Sequence, residues 1–249
     1  FRMTGKTSAG KRTVKRAAHL VVDEAQELAP IELRVLGRHV RGRTGAVTVA
    51  GDAAQQVDTA SWFGSWGEAL EALGVARAAS ATLETTYRCP RPVAELAQRV
   101  LGPQAPTTMP RTPRPGPPVS RSAVPHEGHA AALIAEALQD LTAAEPHASI
   151  AVICRDAQGA RGLHEVLSKG LDVRLVLDGE FAFAPGVEVT EVAAVKGLEF
   201  DYVVVPDAND QTYPDRPEAR RMLHVAVTRA AHQVWLVCPG TPSSILPDP

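Results

Sequence analysis

Short apolar runs that end in polar residues recur along the chain, and they predict the strands of a parallel α/β sheet. The first two runs lie at residues 20–22 and 46–50. Both are continuous instead of alternating, as expected for strands that are buried on both faces. Between them, apolar residues recur at helical spacing from Ile31 to Val40, after Pro30, which suits a first helical turn.

The same alternation continues to the end of the chain. The further predicted strands are residues 81–88, 150–154, 173–177, 187–194, 202–205 and 233–237. Further helices are predicted around Leu70, after Pro90, from Ala130 onward and after Asp156. Another helix is predicted to begin at Asp215, with Glu218 in a capping-box position. The last helix is predicted to run through Arg229. Alternating strands and helices are typical of α/β proteins with a parallel sheet.

A proline-rich stretch divides the chain into two parts. Seven prolines lie from Pro103 to Pro118 without any periodic pattern, so we predict a semi-rigid connector there. The predicted domains are therefore residues 1–102 and 119–249, joined by residues 103–118. Because the first residue is Phe1, we expect the chain to be a fragment that lacks an N-terminal segment.

Composition narrows the class of protein but assigns no activity. Hydrophobic residues make up 45% of the chain and charged residues 22%, which is ordinary for a globular protein. The net charge of −2 means that any nucleic-acid surface must be local. The cysteines have neither metal nor redox spacing, and no apolar run approaches the roughly 20 residues of a membrane span. We therefore expect a cytoplasmic protein with neither a zinc site nor a membrane partner.

Acidic and amide side chains follow the first two strands at their carboxyl ends, where parallel sheets bind ligands. Asp23, Glu24 and Gln26 follow the first strand, and Asp52 and Gln55 follow the second. Such carboxylates can hold a divalent cation and activate a water molecule for phosphoryl transfer. The alternatives are acids that cap the next helix and an ordinary Gly-Asp turn.

Two arginines and a tyrosine are the other candidates in these patterns. Tyr87 and Arg88 end the third predicted strand, where a ring could stack on a purine and a guanidinium could bind a phosphate. Arg229 lies on the apolar side of its predicted helix, where an unpaired charge is costly to bury. The alternative is a helix-end arginine that extends into water.

Two further stretches resemble functional sites less closely. Residues 5–12 nearly match the phosphate-binding pattern G-x-x-x-x-G-K-[ST], but Arg12 replaces the hydroxyl that must reach Mg²⁺. No strand precedes them, so we interpret them as a basic segment. Trp62, Phe63 and Trp66 could stack on nucleic-acid bases, although packing within the protein is the favoured interpretation.

Five short motifs occur in the order found in superfamily 1 DNA and RNA helicases of the UvrD/Rep type, and the chain resembles that family from Leu20 to Val237. The motifs are residues 22–26 (Walker B), 51–55 (motif III), 86–88 (motif IV), 196–201 (motif V) and 225–230 (motif VI). The resemblance implies two RecA-like lobes of the P-loop NTPase fold with ATP between them. Residues 1–102 would form part of the first lobe and residues 119–249 a complete second lobe.

The resemblance also implies a role toward ATP and Mg²⁺ for nine residues. They are Asp23 for Mg²⁺, Glu24 as the base that activates water, Gln26 and Gln55 as γ-phosphate sensors, Tyr87 for the adenine, Arg88 for the γ-phosphate, Glu199 for the ribose with Gly197 allowing close approach, and Arg229 as the arginine finger. ATP hydrolysis would change the separation of the lobes.

The chain departs from the family pattern in ways that are similar to its HelD branch, whose members act on RNA polymerase. No Walker A lysine is recognisable, so we expect residues 1–249 alone to be inactive. Residues 56–60 replace the DNA-facing part of motif III, and residues 191–193 replace the Thr and His of motif V. Only 107 residues separate Arg88 from Lys196, too few for the large inserted domain of UvrD-type enzymes.

Three functions therefore remain open. The chain could belong to an ATP-dependent motor that moves on nucleic acid, with single-stranded DNA as the expected partner. It could belong to an ATP-driven factor that remodels RNA polymerase without unwinding duplexes. It could also be a non-catalytic nucleotide-sensing or structural lobe. The resemblance implies that its own N-terminal segment is a further partner and that the protein is bacterial and associated with the nucleoid.

Overall fold

The computed structural model describes residues 16–40, 45–57, 63–106 and 111–247. Within these ranges the chain packs as two compact units. The smaller unit contains the described residues up to Ala53 and those from 63 to Ser80, and the larger unit contains residues 54–57 and the described residues from Ala81 onward. The proline-rich boundary predicted at residues 103–118 thus falls inside the larger unit.

The smaller unit is built from two parallel strands and two helices. Strand β1 (His19–Val22) pairs in parallel with β2 (Ala46–Val49), and helix α1 (Pro30–Gly37) lies between them in sequence. Helix α2 (Trp66–Ala72) begins at Ser65, whose side chain caps it. Both strands form as predicted, but they are not buried on both faces, since Val21 is 65% exposed and the residues of β2 alternate between exposed and half-buried. The helix predicted from Ile31 to Val40 ends at Gly37, and the helix predicted around Leu70 is confirmed. The buried core consists of Val22, Ala25, Leu33, Ala69 and Leu73.

The larger unit is built on a six-stranded sheet in which all neighbouring strands are parallel. Its strands are β3 (Ser120–Val124), β4 (Ser149–Cys154), β5 (Val173–Val176), β6 (Gly186–Glu191), β7 (Phe200–Val205) and β8 (Ala230–Pro239). Their order across the sheet is β3-β8-β7-β4-β6-β5. The accompanying helices are α3 (Arg91–Leu101), α4 (Glu127–Ala144), α5 (Ala157–Leu167) and α6 (Pro217–Val227). The predicted α/β class with a parallel sheet is confirmed.

Both faces of this sheet are covered by apolar side chains. Ala151 and Ile153 of β4 belong to one buried cluster, with residues of α3 and α6. Ile150 and Val152 belong to the other, with residues of α4 and α5. Because side chains alternate along a strand, burial on both faces produces the continuous apolar runs seen in the sequence. None of the helices in the described ranges is long and apolar enough to cross a membrane.

The strand predicted at residues 81–88 is wrong. These residues are irregular, apart from an isolated parallel bridge between Thr85 and Arg111. Their larger apolar side chains are exposed, Leu83 at 92% and Tyr87 at 69%. A strand here would therefore bury no apolar face, and no burial stabilises it.

The C-terminal helix is shorter than predicted at both ends. The N-cap residue of α6 is Arg216, and Asp215 instead accepts a hydrogen bond from Arg220 Nε at 2.7 Å. The helix ends at Val227, so that Arg229 lies just beyond it. Strand β3 was missed, because the sequence Ser-Arg-Ser-Ala-Val contains no apolar run and pairs only with β8 at the edge of the sheet.

Candidate functional site

A hydrogen-bonded group of polar side chains lies at the carboxyl ends of β1 and β2. Gln26 Nε2 donates to Glu24 Oε2 at 2.6 Å. Gln26 is fully buried, and its Oε1 accepts a hydrogen bond from the backbone nitrogen of Asp52 at 3.0 Å. The buried glutamine therefore connects the Glu24 carboxylate to the loop after β2 and restrains its position.

The turn that carries Asp23 and Glu24 has unusual backbone geometry. Glu24 has φ of 50° and ψ of 42°, in the left-handed region that non-glycine residues rarely occupy. The carboxylate of Asp23 is exposed, and its Oδ1 accepts a hydrogen bond from the Glu24 nitrogen at 2.9 Å. Backbone strain of about 1–3 kcal/mol persists where surrounding contacts impose it, and such residues cluster at functional sites.

Gly51 allows the loop after β2 to approach Gln26 closely. A Cβ at Gly51 would lie 2.3 Å from Gln26 Oε1 and 2.9 Å from the Trp66 ring. Any larger residue would therefore displace the glutamine that restrains Glu24.

Phe63 and Trp66 pack edge to face, with ring centroids 5.0 Å apart, against the core of the smaller unit. Their predicted packing role is confirmed, whereas Trp62 and residues 5–12 lie outside the described residues.

Arg229 is completely buried in the larger unit. Its Nε donates to the Val225 carbonyl at 3.1 Å, and its Nη1 donates to the Leu198 carbonyl at 3.2 Å. Its Nη2 donates to Gln55 Oε1 at 2.8 Å and to the Thr228 hydroxyl at 3.1 Å. The guanidinium keeps its charge in proteins, so these oxygens hold a cation in the interior. Arg229 therefore does not extend into water, which was the alternative left open by the sequence. Its role as an arginine finger stays a prediction.

The segment that carries Gln55 packs as part of the larger unit. Val57 is buried in the core of that unit, and the Gln56 carbonyl accepts a hydrogen bond from Arg221 Nε at 3.0 Å. Arg221 thus restrains the backbone next to the glutamine that contacts Arg229. The sequence alone does not single out Arg221, because its place on a helix near motif VI does not reveal a distant carbonyl partner.

Arg88 and Glu199, two of the predicted nucleotide residues, form an ion pair. Arg88 Nε lies 3.5 Å from Glu199 Oε2, and both side chains are partly exposed. Exposed pairs typically contribute about 0–1 kcal/mol, so an anionic ligand can compete for Arg88. Gly197 lies two residues before Glu199, with φ of 74° and open space where a Cβ would stand. The roles of these residues toward a nucleotide stay predictions.

Tyr87 presents its ring to solvent. The ring lines an open groove of about 350 Å³, together with Thr85, Arg111, Thr112 and Pro113. An exposed ring face is what stacking on adenine requires. The nearby Cys89 is buried, and burial raises the pKa of its thiol.

A buried carboxylate that the sequence analysis did not single out lies just after β7. Asp207 Oδ2 accepts a hydrogen bond from the backbone nitrogen of Arg155, which follows the neighbouring strand β4. Burial raises the pKa of Asp207 to about 7, although the hydrogen bond from Arg155 acts in the opposite direction. No local sequence signal distinguishes this aspartate, because its burial results from the packing around two adjacent strand ends.

The contribution of Asp207 to protein stability is expected to fall as the pH rises from about 4 to 7. Its folded-state pKa of about 7 exceeds the usual value of 3.8, so the folded protein binds more protons than the unfolded chain in this interval. The contribution of Asp207 is therefore complete below about pH 4 and is lost as the pH passes 7. Asp207→Asn keeps an acceptor for Arg155 without a charge. Asp207→Asn should remove this dependence and be more stable than wild type at pH 8, where the wild-type carboxylate is ionised in the interior.

Urea denaturation between pH 4 and pH 8 measures this dependence. Asp172→Asn is the matched control, because Asp172 is exposed on the same unit, and it should retain the wild-type profile. A wild-type profile in Asp207→Asn would contradict the assignment to Asp207.

Comparison with known families adds an independent result. Residues 186–237, which run from the start of β6 into β8, match the sequence model of the UvrD-like helicase C-terminal domain. The resemblance to the C-terminal portion of a UvrD-like superfamily 1 helicase is confirmed. The UvrD-like segment includes Gly197, Glu199 and Arg229, so that motifs V and VI both lie inside it.

Comparison with solved structures concerns the fold. The chain is similar to the C-terminal domain of a possible DNA helicase from Lactobacillus plantarum WCFS1, with a TM-score of 0.54 and 25% identity, over 65% of this chain and 92% of that chain. This match supports the predicted RecA-like parallel-sheet fold. The structure of PRRSV helicase aligns with a TM-score of 0.46 and 13% identity, over 88% of this chain and 34% of that chain. A search of curated proteins found no match.

Proposed function

We propose that the chain is part of an ATP-driven superfamily 1 motor that moves on nucleic acid. The observation that carries this proposal is the hydrogen bond from buried Arg229 to Gln55, at the end of the UvrD-like segment. The family resemblance relates both residues to the γ-phosphate of ATP. A direct contact between them means that a ligand that binds one must affect the other.

The smaller unit offers side chains that suit Mg²⁺ and a catalytic base. Asp23 presents an exposed carboxylate at a strand end, and Mg²⁺ prefers oxygen ligands. Asp23 would therefore hold the ion, which supplies charge neutralisation for the phosphates. Glu24, restrained by Gln26, would orient the attacking water and accept its proton.

The larger unit offers cations for the negative charge that develops on the transferred phosphoryl group. Arg88 would exchange its exposed partner Glu199 for phosphate oxygens, which can accept two parallel hydrogen bonds from a guanidinium. Arg229 would add a charge from a buried position, where electrostatic interactions are stronger than in water. The exposed ring of Tyr87 would stack on the adenine.

The motor proposal predicts that, at ATP concentrations below KM, single-stranded DNA raises ATP hydrolysis by the intact protein about tenfold, since a ligand at one site typically changes the affinity of another site by about 5- to 150-fold. Phosphate release is measured with single-stranded DNA, duplex DNA or single-stranded RNA, and without nucleic acid. The background is measured with Arg229→Gln protein. An intact protein that hydrolyses no ATP under any of these conditions would contradict the motor function.

A second candidate is an ATP-driven factor that remodels or recycles RNA polymerase without unwinding duplexes. Two buried residues favour it. Val57 follows motif III and Val192 precedes motif V, at positions where the wider family places DNA-facing groups. Val57 is only 7% exposed and Val192 is 0% exposed. If the chain belongs to such a factor, purified RNA polymerase stimulates ATP turnover in the same assay and single-stranded DNA does not. The ratio of the two stimulations decides between the candidates.

A further inference from the structure

The segment that carries Tyr87 and Arg88 is held in place although it belongs to no sheet. Three backbone hydrogen bonds join it to the proline-rich stretch, from Thr86 N to Arg111 O at 2.9 Å, from Arg111 N to Glu84 O at 2.7 Å and from Arg91 N to Arg114 O at 2.9 Å. Residues 111–118, here called the strap, therefore run alongside residues 84–91. The stretch that the sequence marked as a connector is packed against predicted nucleotide residues.

One side chain of the strap contacts the backbone of the predicted nucleotide residues themselves. Arg114 Nη1 donates to the Arg88 carbonyl at 2.6 Å and to the Tyr87 carbonyl at 3.3 Å. Arg114 Nη2 donates to the Ala231 carbonyl at 3.0 Å. Ala231 lies in β8, two residues after Arg229. A single guanidinium thus ties Tyr87 and Arg88 to the strand that begins beside Arg229.

After Arg114, the strap itself is restrained by contacts with the start of α3 and with β8. A Cβ at Gly116 would lie 2.4 Å from the Pro90 Cβ, so the strap approaches the start of α3 as closely as a glycine permits. Gln233 Nε2 of β8 donates to the Pro118 carbonyl at 2.9 Å. Proline fixes φ and so restricts the backbone. The strap therefore provides a rigid support from which Arg114 can hold other residues.

We propose that Arg114 is a positioning residue for nucleotide binding, which holds Tyr87 and Arg88 where the adenine and the γ-phosphate meet them. The inference rests on the proposed function, because the nucleotide roles of Tyr87 and Arg88 do. A planar guanidinium has five N–H donors and serves three carbonyl groups at once. Without Arg114, the segment keeps its backbone hydrogen bonds to the strap but loses the hydrogen bonds through which Arg114 joins it to Ala231 of β8.

Arg114→Ala in the intact protein is expected to weaken ATP binding about tenfold, since hydrogen bonds from a charged donor are among the stronger ones. ADP binding should weaken less, because a displaced Arg88 chiefly loses the γ-phosphate. Titrations with fluorescent ATP and ADP analogues measure both affinities. Arg114→Lys keeps the charge and some of the hydrogen bonds, so it should recover part of the ATP affinity. Arg161→Ala, which removes an exposed arginine from α5, is the matched control and should bind like wild type.

The ratio of ATP to ADP affinity distinguishes positioning from general destabilisation. Partial unfolding would reduce the active fraction for both nucleotides equally, so equal losses for ATP and ADP would overturn the proposal. Wild-type affinities in Arg114→Ala would also overturn it. A lowered ratio with partial recovery in Arg114→Lys supports it.

Hydrogen exchange of the amides in residues 84–91 tests the same role without nucleotide. Exchange should be faster in Arg114→Ala and unchanged in Arg161→Ala. If the wild-type protein binds no nucleotide, the proposed function fails. Faster exchange in Arg114→Ala would then still support the holding of Tyr87 and Arg88, and unchanged exchange would overturn it.

Discussion

Replacing Glu24 with glutamine is expected to lower ATP turnover by about 100- to 10,000-fold, the usual contribution of a general base. Nucleotide binding should stay within about twofold of wild type, because glutamine has nearly the same shape and only loses the ability to accept a proton. The side-chain oxygen at position 24 can still accept the hydrogen bond from Gln26 Nε2. Steady-state phosphate release and equilibrium binding of nucleotide measure the two quantities in the intact protein.

Glu71→Gln is the matched control for Glu24→Gln. Glu71 is an exposed carboxylate on α2 of the same unit, so the variant should hydrolyse ATP at the wild-type rate. Unchanged turnover in Glu24→Gln would rule out Glu24 as the base. Loss of binding together with a lowered unfolding temperature would show instead that Glu24 supports the fold through Gln26 and Asp52.

Replacing Arg229 with glutamine is expected to lower ATP turnover by about 1,000-fold or more, the usual effect of removing an arginine finger. The variant should also be less stable by about 2–4 kcal/mol, because the Leu198 carbonyl and Gln55 lose a donor in the protein interior. Phosphate release measures turnover, and urea denaturation measures the free energy of unfolding. Both are determined at a temperature at which the variant is folded.

Arg229→Lys separates the two effects of this substitution. Lysine keeps the positive charge, but its ammonium group cannot donate hydrogen bonds to the Val225 carbonyl, the Leu198 carbonyl and Gln55 at the same time. We expect turnover to stay at least about tenfold below wild type even when stability is largely recovered. Arg161→Gln on the surface of α5 is the control. A loss of turnover that only follows the folded fraction would exclude a catalytic role for Arg229.

The strand-end residues were recognisable because each follows an apolar run directly. The apolar run at residues 20–22 forms β1 (His19–Val22). Asp23, Glu24 and Gln26 follow this strand in one hydrogen-bonded group. The same reasoning failed at residues 81–88, which contain β-forming residues but form no strand. The local residue pattern indicates which secondary structure a segment can form. A strand also needs a neighbouring strand to pair with and an apolar face to bury.

Helix α6 shows a similar division between local and distant effects. Its apolar spacing predicted the helix, which depends on neighbouring residues along the chain. The burial of Arg229, which the residue pattern left open, depends on oxygens from distant segments. Its true first residue is Pro217, because Asp215 pairs with Arg220 and leaves Arg216 as the N-cap. Competition between a capping bond and an ion pair depends on side-chain geometry that a residue pattern does not contain.

Apolar periodicity and residue chemistry were sufficient to predict the parallel α/β class and the polar residues at the strand ends. These properties arise from residues that are close in sequence. The contacts that organise the candidate site span much larger distances, 174 residues from Gln55 to Arg229 and 117 from Arg114 to Ala231. Such partners, and the burial of Asp207, emerge from the order of strands in the folded sheet, because that order brings remote carbonyl groups and carboxylates together.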